Sequence, residues 1–240
     1  MDLKNKSAIV AGGSGNIGIG IVKQLINHGA TVFVPYRNED KLISLKEYIG
    51  LELDQKLIPI KADLSSFETA VQLKQTLENQ HAVIDIAVAS LGSWWQGKRL
   101  SEVDGKDYNQ VMNENVHPHF YFARAISPIL KKQGFGTYIS INGPGGLVAM
   151  PGAELVTIAG WMQYKMTEFL NTELRETGAK AFQLIIAGIQ TRQQGRVGGP
   201  SMITPEEIGD YIAKLHFGEV EEPEKLAQTF YRVKLPWFKL

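Results

Sequence analysis

The chain has 240 residues, of which 44% are hydrophobic, so it can bury a full core within one domain. Lysine plus arginine and aspartate plus glutamate balance at 25 each, which argues against a nucleic-acid partner and an acidic membrane surface. Cysteine is absent, which excludes disulfides and thiolate chemistry and makes the reducing cytoplasm the expected location.

Strand-like and helical segments alternate along the chain. This alternation predicts an α/β fold: a doubly wound parallel sheet of six to seven strands with helices on both faces. No linker-like segment interrupts it, so residues 1–240 are predicted to form one domain. A late helix should begin at Pro205, capped by Thr204 and Glu207. The predicted strands are residues 7–11, 31–36, 56–61, 83–89, 136–141 and 181–186, with 226–233 as an edge strand.

The first strand is followed by a glycine-rich turn that opens into a helix. Glycines in this setting let the backbone turn tightly, approach a pyrophosphate and pack the helix on the strand. The helix N-terminus also presents unpaired N–H groups to an anion. We therefore predict a Rossmann-type dinucleotide site, with a glycine-rich turn that binds no ligand as the alternative. Its residues are Gly12, Gly13, Ser14, Gly15, Asn16, Ile17 and Gly18.

The second and third strands end in residues suited to the adenosine half of a dinucleotide. Arg37 stands where NAD-preferring proteins carry an acid, and its guanidinium can pair with a 2′-phosphate. NADP(H) is therefore favoured over NAD(H), with a solvated turn arginine as the alternative. Asp63 and Leu64 suit the edge of an adenine ring, although Asp63 could equally cap a helix beginning near Ser65.

Membrane and metal functions find no support in the sequence. No apolar run approaches the ~20 residues that a spanning helix needs. Of the five histidines only His117 and His119 lie close together, and their spacing puts them on different faces of a helix. We expect no membrane segment and no metal.

In order and spacing, the glycine turn, Arg37, Asp63-Leu64, strand residues 84–88 and Asn115 resemble the short-chain dehydrogenase/reductase family over about residues 5–217. The resemblance implies an NAD(P)-dependent oxidoreductase scaffold. It also implies that Asn115 holds a helix kink and a relay water, although Asn115 could be a plain polar helix residue. Further cofactor-binding positions implied by the resemblance are Ala89 and Gly92 after the fourth strand and Gly188 and Thr191 after the sixth.

The residues with which that family transfers hydride are missing. Family members use a Tyr acid, a Lys four residues later that lowers the pKa of the phenol, and a Ser thirteen residues earlier. An ungapped alignment from the fifth strand to Glu173-Leu174 puts the Ser, Tyr and Lys positions on Gly143, Val156 and Gly160. No Tyr-x-x-x-Lys occurs anywhere in the chain.

Other side chains could substitute for the missing acid. His119 follows Asn115 by one helical turn, while Tyr164 and Lys165 follow the altered catalytic turn, and a structural role is the alternative for each. Trp94-Trp95 could grip a hydrophobic or aromatic small-molecule ligand or could cap the core.

Three functions remain open on this scaffold. The first is an NADP(H)-binding protein that has lost the ordinary acid–base machinery, such as a sensor or regulatory subunit. The second is an active NADPH-dependent reductase that uses another proton donor, and the third is a non-redox isomerase or cyclase. By analogy with the family, helical segments 105–132 and 153–177 should form a homodimer or homotetramer.

Overall fold

Seven parallel strands form one sheet in the computed structural model, which describes residues 1–50, 52–190 and 202–232. The strands are β1 Ser7–Ala11, β2 Thr31–Tyr36, β3 Leu57–Lys61, β4 Ile86–Ala89, β5 Thr137–Asn142, β6 Lys180–Ile186 and β7 Ala227–Phe230. Their order in the sheet is β3-β2-β1-β4-β5-β6-β7. The chain reverses its direction of travel across the sheet between β1 and β4, which makes that junction the switch point where ligands bind in such folds.

In the described ranges, seven α-helices cover the two faces of the sheet. They are α1 Gly18–Asn27, α2 Glu39–Ile49, α3 Phe67–Asn79, α4 Gly105–Val111, α5 His117–Gln133, α6 Glu154–Arg175 and α7 Pro205–Phe217. One buried cluster joins the sheet to α1, α2 and α7, and a second joins it to α3, α5 and α6. Within the described ranges, no helix is long and apolar enough to cross a bilayer.

The predicted α/β fold with a seven-stranded, doubly wound parallel sheet is confirmed. The fourth strand differs from its prediction, because regular pairing begins only at Ile86 rather than at residue 83. The Gln133 side chain explains the late start: its amide accepts from the Ile84 N–H and donates to the Ile84 carbonyl, both at 2.9 Å. The Gln133 side chain thus forms the hydrogen bonds with the Ile84 backbone that a neighbouring strand would otherwise form.

Two helix starts test the capping predictions. Thr204 caps α7 as predicted, since its hydroxyl accepts from the Glu207 N–H while the Glu207 carboxylate accepts from the Thr204 N–H. Asp63 does not cap the next helix. Ser66 does so instead, by accepting from the Thr69 N–H, and α3 therefore begins at Phe67. Asp63 is left available for other contacts.

Candidate functional site

A cavity of about 1220 Å³ opens at the carboxyl edge of the sheet, on the switch point. Its walls come from the turns after β1, β4, β5 and β6, together with one face of α2. Pockets for drug-sized ligands usually measure about 300–1,000 Å³. The cavity therefore has room for a ligand larger than a typical metabolite, such as a dinucleotide.

The turn after β1 is built from close backbone contacts that only glycine allows. Gly12 has a φ of +75°, and a Cβ atom there would lie 2.0 Å from the Ser90 carbonyl oxygen. A Cβ atom on Gly18 would lie 2.1 Å from the Gly12 carbonyl oxygen. Gly12, Gly13 and Gly18 allow this close packing of the turn and do not line the cavity themselves. Ser14, Gly15, Asn16 and Ile17 line the cavity itself.

The start of α1 faces this turn and carries no acidic residue in its first turn. No side-chain carboxylate therefore offsets the positive end of its dipole, which suits an anionic group. The predicted phosphate-binding geometry thus has its glycines and its helix start in place.

Basic and polar side chains gather where β2 and β3 end. The Arg37 guanidinium lies 3.6 Å from the Asp63 carboxylate, and the Arg37 side chain is 75% exposed. Leu64 is buried against the sheet. Lys41 and Ser44, on the exposed face of α2, line the cavity. Their i, i+3 spacing beside Arg37 was a signal in the sequence that our prediction missed.

Asn115 joins three parts of the site. It lies in a π-helical segment, Met112–Val116, which is the helix irregularity that the family resemblance implied. Its Oδ1 accepts from the Ser93 N–H at 3.1 Å, and its Nδ2 donates to the Val111 carbonyl at 3.3 Å. Its backbone carbonyl accepts from the Gln163 Nε2 at 2.7 Å. The loop after β4 is thus tied to both α5 and α6.

The positions aligned with the family's Ser, Tyr and Lys lie around the turn after β5. Gly143 and Val156 both line the cavity. Gly160 is packed against that turn: a Cβ atom on it would lie 3.0 Å from the Gly146 nitrogen and 3.1 Å from the Asn142 Oδ1. The Asn142 Nδ2 also donates to the Gly160 carbonyl at 2.9 Å. Backbone and amide atoms therefore occupy the space beside this helix turn.

Charge is almost absent from the cavity wall. Among the described residues that line it, Lys41 is the one ionisable side chain, and it lies at the end nearest to Arg37. The end that contains Gly143, Val156 and Gln163 is lined by apolar side chains, amides, hydroxyls and backbone. No described side chain there can exchange a proton near neutral pH.

The predicted substitute acids lie elsewhere. Tyr164 and Lys165 do not line the cavity, and Lys165 forms a surface ion pair with Glu168 at 2.6 Å that raises the pKa of its ammonium. His119 is buried between the Leu91 carbonyl, 3.1 Å from its Nε2, and the Ser140 hydroxyl, 3.3 Å from its Nδ1. Because the carbonyl only accepts, Nε2 must carry the hydrogen. Burial lowers the pKa of His119 to about 4.

The remaining predicted residues divide between the cavity and the core. Gly92 and Gly188 line the cavity, whereas Ala89 is buried in β4. Thr191 lies outside the described residues. The tryptophan pair divides in the same way: Trp94 lines the cavity, whereas Trp95 packs on the cluster that contains Val111 and Leu155.

Sequence reasoning missed the amides on the cavity wall. Asn142 ends β5, and Gln163 follows Val156 by two helical turns on the same face of α6. The helical spacing was a usable signal for Gln163. Asn142 had no such signal, because its contact with Gly160 depends on how the turn after β5 packs.

Comparison with known proteins agrees with this geometry. The family model for short chain dehydrogenases matches residues 6–198. Oxidoreductase BOA17 of Botryotinia fuckeliana is 23% identical over 230 residues, covering 93% of this chain and 82% of that protein. The 3alpha-hydroxysteroid dehydrogenase of Mediterraneibacter gnavus is 26% identical over 231 residues, covering 96% and 90%.

Solved structures share the fold. ElxO with NADP bound superposes with a TM-score of 0.81 at 16% identity, covering 93% of this chain and 96% of that one. A short-chain dehydrogenase from Burkholderia cenocepacia in complex with NADP gives a TM-score of 0.77 at 20% identity, covering 96% and 90%. With the family model matched over most of its length, the chain belongs to the short-chain dehydrogenase family.

The buried state of His119 predicts a pH-dependent stability. The histidine takes up a proton near pH 6.5 when unfolded but only near pH 4 when folded, so its contribution favours unfolding as the pH falls between these values. Between pH 7.5 and pH 5 this contribution should reduce the free energy of unfolding by about 2 kcal/mol. Urea unfolding at the two pH values measures it.

The variant His119→Gln keeps an N–H donor for the Leu91 carbonyl and has no titrating group, so its loss between the two pH values should be smaller by that amount. His117→Gln, on the exposed side of α5, is the control and should behave like the parent. An equal pH dependence in parent and His119→Gln would contradict the prediction.

Proposed function

We propose that this chain is an NADP(H)-binding member of the short-chain dehydrogenase family that has lost the family's usual Ser, Tyr and Lys machinery. The observation that carries the proposal is the composition of the cavity wall, on which Lys41 is the one ionisable side chain among the described residues. A site of this kind can bind and orient a dinucleotide, but none of its described residues offers an acid at the end that contains Gly143 and Val156.

The turn after β1 suits a pyrophosphate. Gly12 and Gly18 allow the backbone of this turn to pack closely, Ser14 and Gly15 line the cavity, and the start of α1 presents the positive end of its dipole to anionic oxygens. Two structural neighbours, ElxO and the Burkholderia cenocepacia protein, are described with NADP. These features support NADP(H) as the ligand of this chain.

The end of β2 favours the phosphorylated cofactor. Arg37 follows β2 directly and its side chain is largely exposed. Its guanidinium lies 3.6 Å from the Asp63 carboxylate, so its N–H groups can turn toward a 2′-phosphate. Lys41 supplies a second positive charge on the same side of the cavity. Bound NADPH would supply a hydride, and these residues would hold its adenosine half.

Carbonyl reduction also needs a proton, and no described side chain at the end of the cavity beside Val156 can donate it. A phenol of pKa near 10 exchanges protons poorly at neutral pH unless an ammonium lies beside it. Val156 and Gly160, at the aligned positions, offer neither group. Because a positioned acid contributes about 10²- to 10⁴-fold to the rate, ordinary carbonyl reduction should be slower by at least that factor.

An active reductase is the second candidate. Family membership and the relatives named as oxidoreductases favour it. In that case water entering the open cavity would protonate the product, since neither His119 nor Tyr164 lines the wall.

Nucleotide preference is the first prediction of the proposal. Calorimetric titration should give tighter binding of NADPH than of NADH, and Arg37→Ala should weaken NADPH by about tenfold to 100-fold because a charge-assisted phosphate contact is lost. NADH affinity should stay unchanged. Lys180→Ala, at the amino end of β6 and outside the cavity wall, is the matched control and should change neither. Equal affinity for the two nucleotides, or an unaffected Arg37→Ala, would sink the assignment of NADP(H).

Hydride transfer is the second prediction. Saturating protein mixed with NADPH and a set of aromatic aldehydes and ketones should oxidise NADPH no faster than the buffer does, because no acid protonates the developing alkoxide. Absorbance of NADPH over several hours measures this. Stoichiometric oxidation with any of these carbonyls would instead favour the active reductase and refute the loss of function.

We also propose that α5 and α6 mediate self-association. Large apolar side chains are exposed along α6, with Phe169 at 70% and Trp161 at 52%, and Phe120 on α5 is exposed at 49%. Several large apolar side chains exposed on neighbouring helices favour an interface there.

A charge on this surface should separate the subunits. Light scattering should give a dimer or tetramer for the parent and a smaller species for Phe169→Asp, because burying an unpaired carboxylate is unfavourable. Ile43→Asp, which replaces a 53% exposed residue on α2, should leave the mass unchanged. A monomeric parent would contradict the proposal.

A further inference from the structure

Gln163 stands out on the cavity wall because it is almost fully buried and yet faces the ligand space. It lies on α6, two helical turns after Val156, and only 5% of its surface is exposed. Its Nε2 donates to the Asn115 carbonyl at 2.7 Å. A buried amide on a ligand cavity fixes orientation in most small-molecule sites.

The direction of the Gln163 amide is set by chemistry. The Asn115 carbonyl can only accept a hydrogen bond, so the nitrogen of the amide must face it and the oxygen must point elsewhere. Among the described residues, none donates a hydrogen bond to that Oε1. Gln163 is not among the described residues that have a fully buried side-chain atom without a hydrogen bond, which are Asp54, Glu154 and Thr157, and it lines the cavity.

The surroundings of Gln163 indicate what could approach that oxygen. Trp94, Met150 and Val156 present apolar surface in the same cavity, and no described charged side chain lines this end. A charged ligand group would lose its hydration there without gaining a partner. An apolar ligand with an O–H or N–H group would bury its surface and satisfy the acceptor.

We propose that the Gln163 Oε1 accepts a hydrogen bond from a neutral, largely apolar ligand that carries a hydroxyl or N–H donor. Gln163 thereby selects donor-bearing ligands over otherwise equal ones without a donor. The inference rests on the proposed function in one respect, that the cavity is the ligand site, and it names the chemical class of that ligand.

A competing partner for Gln163 is a water molecule. A second, small cavity of about 10 Å³ also touches Gln163, and its wall includes the polar groups of His119, Ser140 and Thr167. This is about the volume that one water needs. A water that satisfied Oε1 from this side would remove any preference for a ligand donor.

A matched pair of probes tests the proposal. 2-Naphthol and 2-methoxynaphthalene share an aromatic body, but only the naphthol has a donor. Equilibrium dialysis with the protein saturated by NADPH, and again without nucleotide, should show the naphthol bound about fivefold to tenfold tighter, the value of one hydrogen bond. Equal binding of the two probes, or no binding of either at its solubility limit, would overturn the inference.

Two variants separate ligand recognition from structure. Gln163→Lys keeps a donor for the Asn115 carbonyl and removes the acceptor, whereas Gln163→Met removes both. In each variant the ratio of the two affinities should fall to about one, and thermal unfolding should show that Gln163→Lys remains folded. Gln72→Met, on the exposed face of α3, should keep the ratio of the parent.

Nucleotide binding measured separately tells the two proposals apart. NADPH binding with no preference between the probes would refute the role of Gln163 alone. If the protein binds no NADPH but prefers the naphthol in a way that depends on Gln163, the proposed NADP(H) binding alone is refuted. A substitution that weakens NADPH but leaves the ratio intact would assign Gln163 to the nucleotide instead, and this also overturns the inference.

Discussion

The hydrogen bond from the Gln163 Nε2 to the Asn115 carbonyl is the contact on which the end of the cavity beside Val156 depends. A π-helical segment breaks the regular ladder of hydrogen bonds at Asn115, and a buried carbonyl left unpaired would cost about 1–3 kcal/mol. Gln163 satisfies it from α6, while the Asn115 Oδ1 accepts from Ser93 in the loop after β4. Asn115 thus connects α6, the π-helical segment before α5 and the loop after β4.

The opposite wall of the cavity depends on glycine rather than on side chains. A Cβ atom on Gly12 would lie 2.0 Å from the Ser90 carbonyl, so the turn after β1 and the loop after β4 touch backbone to backbone. A Cβ atom on Gly92 would likewise lie 2.4 Å from the Asn115 Oδ1. The loop after β4 therefore touches both the turn after β1 and the Asn115 side chain, so a shift in either would move the other.

Periodicity and turn chemistry predicted the sheet, the helix cap at Thr204 and the glycine turn, because each is encoded by neighbours in sequence. The late start of β4 was not predictable, since a Gln133 side chain 49 positions from Ile84 takes its backbone groups. The same limit applies to the site. Helical spacing could have placed Gln163 on the cavity face of α6, but its bond to Asn115 and that of Asn142 to Gly160 form only when distant segments pack together.

Gly160 lets the turn after β5 approach α6 closely. A Cβ atom at this position would lie 3.0 Å from the Gly146 nitrogen and 3.1 Å from the Asn142 Oδ1, so these atoms would have to give by a few tenths of an ångström. The Asn142 Nδ2 adds a hydrogen bond to the Gly160 carbonyl. At this end of the cavity, the close packing of the turn after β5 against Gly160 therefore goes together with a wall on which no described side chain is charged.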